Sequence, residues 1–486
     1  MTAYLGVDLG TSGLKLALIG ADGEPLAEAE AGYDVLRPRP DWAETDPGRW
    51  IEALGTAVDA IAGRLRTVRL RGVGVTGQMH GAVACDVAGE PVRPAVLWPD
   101  RRAEAHLDRW RELPPEVRNR LANPLVPGMT GPILAWLVEH EPAILARVHR
   151  VLLPKDFLRR VLSGAAGTGR GGPDDQTGVT DRTDASATLL WDVVGDDWST
   201  AAVAGAGVPE HWLPPVVPPE EVVGSSRWLA DRLGRPDLAV PVVAGAGDTP
   251  AALLAVSQAD VDPGATQLNL GTGAQLLRRV AEPYPVAEPT THLYAAADGG
   301  WYAMAAVQNA GLAVDWAART LGMTWPELLA AAEATPAGAG GVSFLPFLTG
   351  ERGGLAGPTS RAGWLGLRAS TGRAELARAA VEAMVFVVRR AADLLGPLDG
   401  TVRLTGGGGR SSLVRRLIAD LLGVPVRRIE VRSASAAGAA LLAARATGTT
   451  LPLAGAGTPT DTEPRPDPAL AEAYRRWLDR LPAADA

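Results

Sequence analysis

Residues 4–19 read YLGVDLGTSGLKLALI, which is two apolar runs separated by a short turn of Gly, Ser and Thr. This pattern predicts a β-hairpin. A second turn signal at Asp22 and Gly23 follows the hairpin, so we expect a third strand after it. Asp8 lies at the end of the first predicted strand, directly beside the turn.

A similar unit recurs about half a chain later, where residues 266–277 read TQLNLGTGAQLL. The two units share Leu-Gly-Thr between apolar runs, and Asn269 takes the position of Asp8. A repeat at this separation is expected for two domains that each open with the same hairpin.

Strand-like and helix-like patterns alternate along the chain, which predicts α/β domains. Buried strands are predicted at residues 71–76 and 241–245, and helical periodicity is present at residues 50–65 and 376–395.

Two segments have the composition of connections. Residues 164–181 are rich in Gly, Asp and Thr, so we expect a mobile surface loop there. Residues 455–466 predict a linker of Thr, Pro and Gly. Asp467 and Pro468 then suit the N-cap and first turn of a C-terminal helix, whose apolar face we expect to pack on the rest of the protein.

Composition excludes several classes of protein. The chain has 486 residues, of which 47% are hydrophobic and 21% charged, as in a globular protein of two or three domains. A formal net charge of −8 argues against a general binder of nucleic acid or anionic membranes. Lys15 and Lys155 are the only lysines, and neither has the Gly-Lys-Ser/Thr context of a P-loop, which excludes Walker-type NTPases.

The remaining composition narrows the expected location. Cys85 is the single cysteine, so an intrachain disulfide and CxxC metal or redox motifs are excluded. The first residues lack a basic leader segment, and no run of about 18 apolar residues is present. We therefore expect a cytoplasmic protein without a membrane partner.

Turns of Gly, Ser and Thr can direct backbone N–H groups and hydroxyls at phosphate oxygens, although ordinary hairpin turns have the same composition. Asp8 beside the first turn is placed to hold the waters of a Mg²⁺ ion next to phosphates. Lys15 is either part of such a site or a solvated strand residue. The candidate phosphate contacts are Gly10, Thr11 and Ser12 in the first turn and Gly271, Thr272 and Gly273 in the second.

A third glycine site, residues 402–413, reads VRLTGGGGRSSL and predicts a strand, a glycine run and a helix. Four consecutive glycines are costly in chain entropy and allow a nucleotide to approach the backbone closely. We therefore favour a ligand site over a plain connection. The run is not a Rossmann fingerprint, because the third glycine of that motif would fall on Ser411.

Other polar residues at predicted strand ends are candidates for ligand contact. Asp248 opens a helix with Pro250 in its first turn, and on this segment alone a helix cap is favoured over a general base. Gln78 and His80 can bond a polar ligand, although a His satisfied by backbone is the commoner case. Asp100 is either a hydroxyl-binding acid or part of a solvated turn. Motifs of zinc proteases and serine hydrolases are absent from the sequence.

Taken together and in this order, eight segments between residue 4 and about residue 445 resemble the FGGY carbohydrate kinases, and within them the xylulose kinases. The segments are GVDLGTSGLK, GQMHG, LLPKDFL, TDASATLLWDV, VPVVAGAGD, LNLGTGAQ, FLPFLTGER and LTGGGGRSSLVRRLIADLLGVPV.

The resemblance implies an α/β fold of two ribonuclease H-like (actin/hexokinase-type) domains around a central cleft. The expected divisions are a sugar-binding domain at residues 1–244, a nucleotide-binding domain at 245–454, and a linker with a C-terminal helix at 455–486. It further implies sugar and ATP as ligands, Mg²⁺ as a cofactor and no nucleic-acid partner, and it makes a homodimer plausible.

Residue by residue, the match makes Asp248 the catalytic base, which now outweighs its interpretation as a helix cap. The candidate metal contacts are Asp8 and Asp248. The candidate nucleotide contacts are Gly10, Thr11, Ser12, Lys15, Gly271, Thr272, Gly273, Gly406, Gly407, Gly408, Gly409 and Ser411. The candidate sugar contacts are Gln78, Met79, His80, Asp100, Asp248 and Thr249.

The implied reaction is transfer of the γ-phosphoryl group of ATP to a ketose hydroxyl, with D-xylulose giving D-xylulose 5-phosphate. Thr249 and Pro99 replace asparagines that are usual in the family near the sugar, so another ketose, a polyol or an aldonate stays open as the acceptor. Two non-catalytic alternatives are an actin-like nucleotide-binding interaction protein and a sugar-binding regulator. The sugar-side segments argue against the first, and intact Asp8 and Asp248 argue against the second.

Overall fold

The predicted opening hairpin is present in the structure, a computed structural model. Its described residues are 1–164, 178–260, 262, 265–351, 354–357, 359–398, 400–453 and 459–481. Strand Thr2–Leu9 (β1) pairs antiparallel with Gly13–Gly20 (β2), which pairs antiparallel with Pro25–Gly32 (β3). Most residues of β1 and β2 are buried, which explains why both strands are continuous apolar runs.

Four more strands complete the first sheet: Arg69–Gly77 (β4), Val222–Ser225 (β5), Pro241–Val243 (β6) and Ala246–Gly247 (β7). The order across the sheet is β5-β6-β4-β1-β2-β3, and β7 also pairs with β4. Strand β4 is parallel to β1, to β6 and to β7. The carboxyl ends of β1, β4 and β7 therefore lie at the same edge of the sheet.

The second sheet repeats this plan around the second predicted hairpin. Its strands are Thr266–Leu270 (β8), Ala274–Val280 (β9), His292–Ala295 (β10), Trp301–Val307 (β11), Val402–Thr405 (β12), Val426–Arg428 (β13) and Thr460–Thr462 (β14). The order is β10-β11-β9-β8-β12-β13-β14, and β8 is parallel to β12. The second hairpin turn and the glycine run thus meet at one edge.

Helices cover and connect the two sheets, and α1 and α13 match the two predicted helical segments. They are Pro47–Leu65 (α1), Asp108–Arg111 (α2), Pro115–Leu121 (α3), Thr130–His140 (α4), Pro142–Leu145 (α5), Pro154–Leu162 (α6), Arg182–Ala185 (α7), Thr200–Ala206 (α8), Arg227–Leu233 (α9), Asp248–Gln258 (α10), Gly311–Thr320 (α11), Trp325–Ala334 (α12), Arg373–Leu395 (α13), Ser412–Leu422 (α14), Ala434–Ala446 (α15) and Pro468–Leu478 (α16). Among the described residues, none of these helices is long and apolar enough to cross a membrane. The two α/β halves confirm the expected fold class.

Short strand pairs outside the two sheets tie loops together. They are Glu44–Thr45 with Ala95–Val96, Val83–Cys85 with Arg150–Leu152, Thr180–Asp181 with Val216–Val217, Trp191–Asp192 with Asp197–Trp198, and Ser343–Leu345 with Gly363–Leu365.

Helix α15 links the two halves, because it follows β13 of the second sheet but packs on β1 and β4 of the first. The approach is close enough to require glycine. A Cβ atom on Gly6 would lie 1.8 Å from the carbonyl oxygen of Ala436, and one on Gly74 would lie 1.9 Å from the backbone of the same helix. On the other side of α15, a Cβ on Gly438 would lie 2.0 Å from the carbonyl oxygen of Ala251 in α10.

Two predicted connections differ from the structure. Most of the expected surface loop at 164–181 lies outside the described residues, but Val179, Thr180 and Asp181 at its end are buried, so a surface loop is wrong for that part. The expected linker at 455–466 lies partly outside the described residues and contains β14, which pairs with β13. There the pairing of an edge strand determines the backbone conformation, although the local composition is typical of a turn. The C-terminal helix is confirmed, with Asp467 as its N-cap and Trp477 buried in the second core.

We predict that Gly74→Ala destabilises the protein by about 1–3 kcal/mol or more, because the added methyl group would overlap the backbone of α15. Thermal unfolding measures the change. Gly63→Ala is the matched control, since nothing lies within 4 Å of a Cβ at this position in α1. There alanine should stabilise the helix by up to about 1 kcal/mol. Equal effects of the two substitutions would contradict the close packing of α15.

Candidate functional site

Strand register brings three predicted site residues to one edge of the first sheet. Asp8 of β1 is paired with Thr76 of β4, and Thr76 is paired with Ala246 of β7. Because β1, β4 and β7 are parallel, Gln78 and Asp248 emerge just beyond the same edge. These residues are far apart in the sequence, and the pairing of the strands brings them close together.

Asp8 is a half-buried carboxylate within this group. Its Oδ1 atom is buried and has no hydrogen-bond partner among the described residues. Burial and, to a smaller extent, the negative charge of Asp248 raise the pKa of Asp8, the charge of Lys15 lowers it, and together these effects bring it to about 7. A buried carboxylate oxygen without a donor, next to a second carboxylate, is a suitable ligand for a cation.

Asp248 is not the N-cap of its helix. It is the first residue of α10, and the N-cap position belongs to Gly247. The Asp248 Oδ1 atom accepts hydrogen bonds from the N–H of the adjacent Thr249 at 2.6 Å and from its hydroxyl at 3.3 Å. Burial raises the pKa of Asp248 and the hydrogen bonds from Thr249 lower it, and together these effects bring it to about 6. Thr249, predicted to contact sugar, therefore orients the carboxylate in this structure.

Hydrogen bonds within the first hairpin turn and from other segments of the chain fix its conformation. Gly10 N–H bonds the carbonyl oxygen of Gly13 at 2.9 Å, and the Gly10 carbonyl oxygen accepts from Tyr33 and, at 3.3 Å, from Gln78 Nε2. The Thr11 hydroxyl accepts a bond from Trp98 Nε1 at 2.8 Å. Ser12 at the tip of the turn is exposed.

Lys15 lies on β2, where its cross-strand neighbours are Asp8 and Glu30. Its Nζ atom is 3.7 Å from a Glu30 carboxylate oxygen, and its side chain is 46% exposed. The geometry is that of a solvated strand residue that also lowers the pKa of Asp8. A contact of Lys15 with nucleotide stays a prediction.

The second hairpin turn and the glycine run lie against each other. Gly271 N–H bonds the carbonyl oxygen of Gly273 at 2.9 Å, and Gly271 and Thr272 are exposed. A Cβ on Gly406 would lie 2.5 Å from the Leu270 carbonyl oxygen, and one on Gly408 would lie 2.6 Å from the Leu270 side chain. These two glycines are therefore required for packing on β8, whatever ligand they meet.

The rest of the glycine run has different surroundings. Gly407 is exposed and nothing lies within 4 Å of a Cβ there, whereas a Cβ on Gly409 would lie 3.0 Å from Leu404. Ser411 is the N-cap of α14, and its Oγ atom accepts from Val414 N–H at 3.3 Å. Packing against neighbouring protein atoms therefore does not explain why position 407 is a glycine.

Three of the predicted sugar-side residues follow the end of β4. Gln78 is 1% exposed, and its Oε1 atom has no partner among the described residues. Met79 is buried against Gly247, the residue before Asp248, since a Cβ on Gly247 would lie 2.6 Å from Met79 Cγ. His80 has a positive φ of 66°, and its Nδ1 atom bonds the carbonyl oxygen of Ala187. The interpretation of His80 as a histidine that bonds the backbone is therefore correct for its Nδ1 atom.

Asp100 is only 1% exposed, so the alternative of a solvated turn is wrong. Its Oδ1 and Oδ2 atoms accept bonds from Arg102, and Oδ2 also accepts from Ala43 N–H at 2.6 Å. Arg102 pairs in turn with Glu44 at 2.7 Å and stacks on the Trp42 ring at 3.6 Å. A direct bond from Asp100 to sugar stays a prediction that this geometry does not favour.

Sequence reasoning missed three residues at the site. Trp98 is 37% exposed beside the first hairpin turn, which it bonds through Thr11. Tyr294 and Tyr302, from β10 and β11 of the second sheet, are fully buried, with Tyr294 6.1 Å from the His80 ring. Burial raises the pKa of Tyr302, with smaller contributions from the charges of Tyr294 and Asp248. Both tyrosines alternate with apolar residues in ordinary strands, so no local signal marks them.

Family models match nearly the whole chain. The model of the FGGY family of carbohydrate kinases, N-terminal domain, matches residues 3–255, and that of the C-terminal domain matches residues 267–447.

Full-length relatives agree with this match. A xylulose kinase of Escherichia coli (strain K12) is 33% identical over 450 residues, covering 91% of this chain and 89% of the relative. A glycerol kinase of Trichlorobacter lovleyi is 31% identical over 462 residues, covering 91% and 90%. The crystal structure of a "xyloylose kinase" from Brucella ovis is similar with a TM-score of 0.86 at 32% identity, covering 98% of this chain and 97% of that one.

We predict that Asp248→Asn raises the melting temperature of the ligand-free protein at pH 8. The folded-state pKa of about 6 is above the ordinary aspartate value of 3.8, so ionisation costs stability as pH rises through this range. The gain at pH 8 is at most about 3 kcal/mol and shrinks towards pH 4. Asp231→Asn, an exposed residue of α9, is the control and should change little at either pH. A pH-independent effect of Asp248→Asn would contradict the raised pKa.

Proposed function

The chain belongs to the FGGY family of carbohydrate kinases, and from this premise we propose that it transfers the γ-phosphoryl group of ATP to D-xylulose, giving D-xylulose 5-phosphate. The observation that supports this proposal is the edge of the first sheet, where β1, β4 and β7 end, where the charges of Asp8 and Asp248 interact, and where the hairpin turn of Gly10 follows β1. An ionisable base next to a cation-binding carboxylate and a phosphate-binding turn is what phosphoryl transfer to an alcohol requires.

Asp248 accepts the proton of the attacking hydroxyl as the oxygen approaches the γ-phosphorus. Its pKa of about 6 is well suited to this task, because the carboxylate is mostly ionised at neutral pH and is a stronger base than an ordinary aspartate. The two hydrogen bonds from Thr249 fix the orientation of Oδ1. Met79 packs against Gly247, the residue before the base.

The donor set also fits a divalent cation. Asp8 has a buried, unpartnered Oδ1 atom among the described residues, and its raised pKa partly reflects the charge of Asp248. When bound, Mg²⁺ supplies positive charge that offsets the charge developing on the transferred phosphoryl group. We propose Asp8, together with Asp248, as the residues that hold it.

The choice of D-xylulose rests on the named relatives, of which the first is a xylulose kinase, with a glycerol kinase at nearly the same identity. A polyol or another sugar is therefore the second candidate acceptor. Pro99 and Thr249, which replace asparagines usual in the family, are the substitutions that we expect nearest the acceptor.

We predict that ADP release is stimulated by D-xylulose more than by other ketoses, glycerol and other polyols, or aldonates. ADP production with each acceptor, against hydrolysis without acceptor, measures this preference. Stronger stimulation by glycerol or gluconate would change the assigned substrate but leave the assignment as a kinase unchanged. If no acceptor exceeds background, the catalytic proposal fails and a non-catalytic nucleotide-binding role takes its place.

On the best acceptor, Asp248→Asn should lower kcat by about a hundredfold to ten-thousandfold, because the general base is removed while the side-chain volume is kept. ATP binding, measured by calorimetry, should persist. Asp231→Asn should retain full activity. Turnover by Asp248→Asn near that of the unchanged protein would reject the assignment of the base.

Gly407→Ala tests whether nucleotide approaches the glycine run. Its methyl group meets no protein atom within 4 Å, so the melting temperature should not change. We expect KM for ATP to rise by about fivefold, equivalent to the loss of one hydrogen bond. Gly408→Ala is the contrasting variant, because its methyl group would overlap Leu270 and lower stability. An unchanged KM for ATP in Gly407→Ala would favour a purely structural role for the run.

A further inference from the structure

Lys155, one of the two lysines, is completely buried within a cluster of charges. Its Nζ atom lies 2.5 Å from Asp156 Oδ1, 2.9 Å from Asp181 Oδ1 and 3.2 Å from Asp184 Oδ2. Arg159, also fully buried, is 2.7 Å from the same oxygen of Asp156. Two cations and three carboxyl groups therefore share one site without solvent.

Such a cluster is a poor way to stabilise a fold. Buried ion pairs rarely contribute more than well-packed apolar residues of similar volume, because each charge loses its hydration. The carboxyl groups outnumber the cations, and burial raises the pKa of Asp184 well above its ordinary value. The positions of these groups, more than their net energy, call for an explanation.

The cluster holds both ends of the tetrapeptide that precedes Asp248. At one end, Arg159 Nη1 donates to the carbonyl oxygen of Ala244 at 2.8 Å. At the other end, Gly247 N–H donates to the Thr183 hydroxyl at 2.8 Å. Thr183 belongs to α7, the short helix that also carries Asp184.

Lys155 sets the position of Thr183 through its partners. Asp181 is the N-cap of α7: its Oδ2 atom accepts from Thr183 N–H at 2.7 Å while its Oδ1 atom faces Lys155. Asp184, one residue after Thr183, contacts the same ammonium group. Lys155 therefore anchors α7 on both sides of the residue that bonds Gly247.

The sheet holds the middle of the tetrapeptide from the opposite side. Gly245 has a positive φ of 84°, and a Cβ there would lie 1.8 Å from the carbonyl oxygen of Val75 in β4. With β4 on one side and the charge cluster on the other, the backbone leading into Asp248 has little freedom to move.

We propose that Lys155 is a positioning residue for phosphoryl transfer: through Asp181, Asp184 and Thr183 it fixes the backbone of Gly247 and hence the carboxylate of Asp248. The inference rests on the proposed role of Asp248 as the base. Groups that hold a reacting atom in place affect turnover more than nucleotide affinity, because small displacements from the productive geometry are costly.

Thr183→Val is the first test, since it removes the hydroxyl that accepts from Gly247 and keeps the side-chain volume. We expect kcat to fall by about tenfold to a hundredfold at unchanged KM for ATP, and Thr183→Ser to restore it. Ser226→Ala is the control, because it also removes a buried hydroxyl, whose hydrogen bonds among the described residues go to Leu238 and Val240 and not to the tetrapeptide before Asp248. Unchanged kcat in Thr183→Val, or equal losses in the Val and Ser variants, would overturn the proposal.

Lys155→Met, assayed below its melting transition, tests whether Lys155 acts on Asp248 through Thr183 and Gly247. We expect Lys155→Met and Thr183→Val to lower kcat to similar levels and their combination to add little, because both act through Gly247. Fully additive losses would overturn the role of Lys155. If Lys155→Met does not fold, Asp181→Asn replaces it in the cycle with the same expectation, because it weakens the link between the ammonium group and α7.

Hydrogen exchange separates this inference from the proposed function. The Gly247 amide should exchange faster in Thr183→Val than in Thr183→Ser, whether or not an acceptor has been identified. Faster exchange together with no turnover on any acceptor would reject the kinase assignment and retain the anchoring of Gly247. Equal exchange in the two variants would reject the anchoring even in an active enzyme.

Discussion

The parallel pairing of β4 with β1 on one side and with β7 on the other is the constraint on which the site depends. It aligns Asp8 with Thr76 and Thr76 with Ala246, so three distant segments end at one edge. A slip of one residue in this register would turn every side chain to the opposite face and separate the two carboxylates. The close contact of α15 with Gly6 and Gly74 holds the register, because the helix reaches both strands.

Collecting carboxylates at this edge works against stability. Burial and mutual repulsion raise the pKa of Asp8 to about 7, and burial raises that of Asp248 to about 6. The ligand-free protein therefore keeps two acids where ionisation is costly, and a cation bound beside them would offset that cost. A site that is least favourable when empty gains affinity for cations from the same repulsion.

The parts that could be predicted from the sequence are those encoded over short distances. Both Leu-Gly-Thr hairpins, the strand–glycine–helix unit at Gly406 and the helix beginning at Asp248 follow from local apolar runs and turn residues. The contacts that could not be predicted join distant segments: Trp98 with Thr11, and Arg102 with Asp100 in an environment set by Glu44 and Trp42. Polar residues of this kind have no periodicity, so local pattern cannot distinguish a solvated turn from a buried ion pair.

The two lysines show why residue scarcity alone does not assign function. Arginine replaces lysine nearly everywhere in this chain, and an exposed position such as Lys15 would accept either cation. Lys155 differs, because three carboxylate oxygens converge on one point between 2.5 and 3.2 Å. A compact ammonium group with three donors suits that geometry, whereas the planar guanidinium of Arg159 suits separate acceptors, here Asp156 and the carbonyl oxygens of Val179 and Ala244. The chemistry of each cation thus matches its place around the backbone that leads into Asp248.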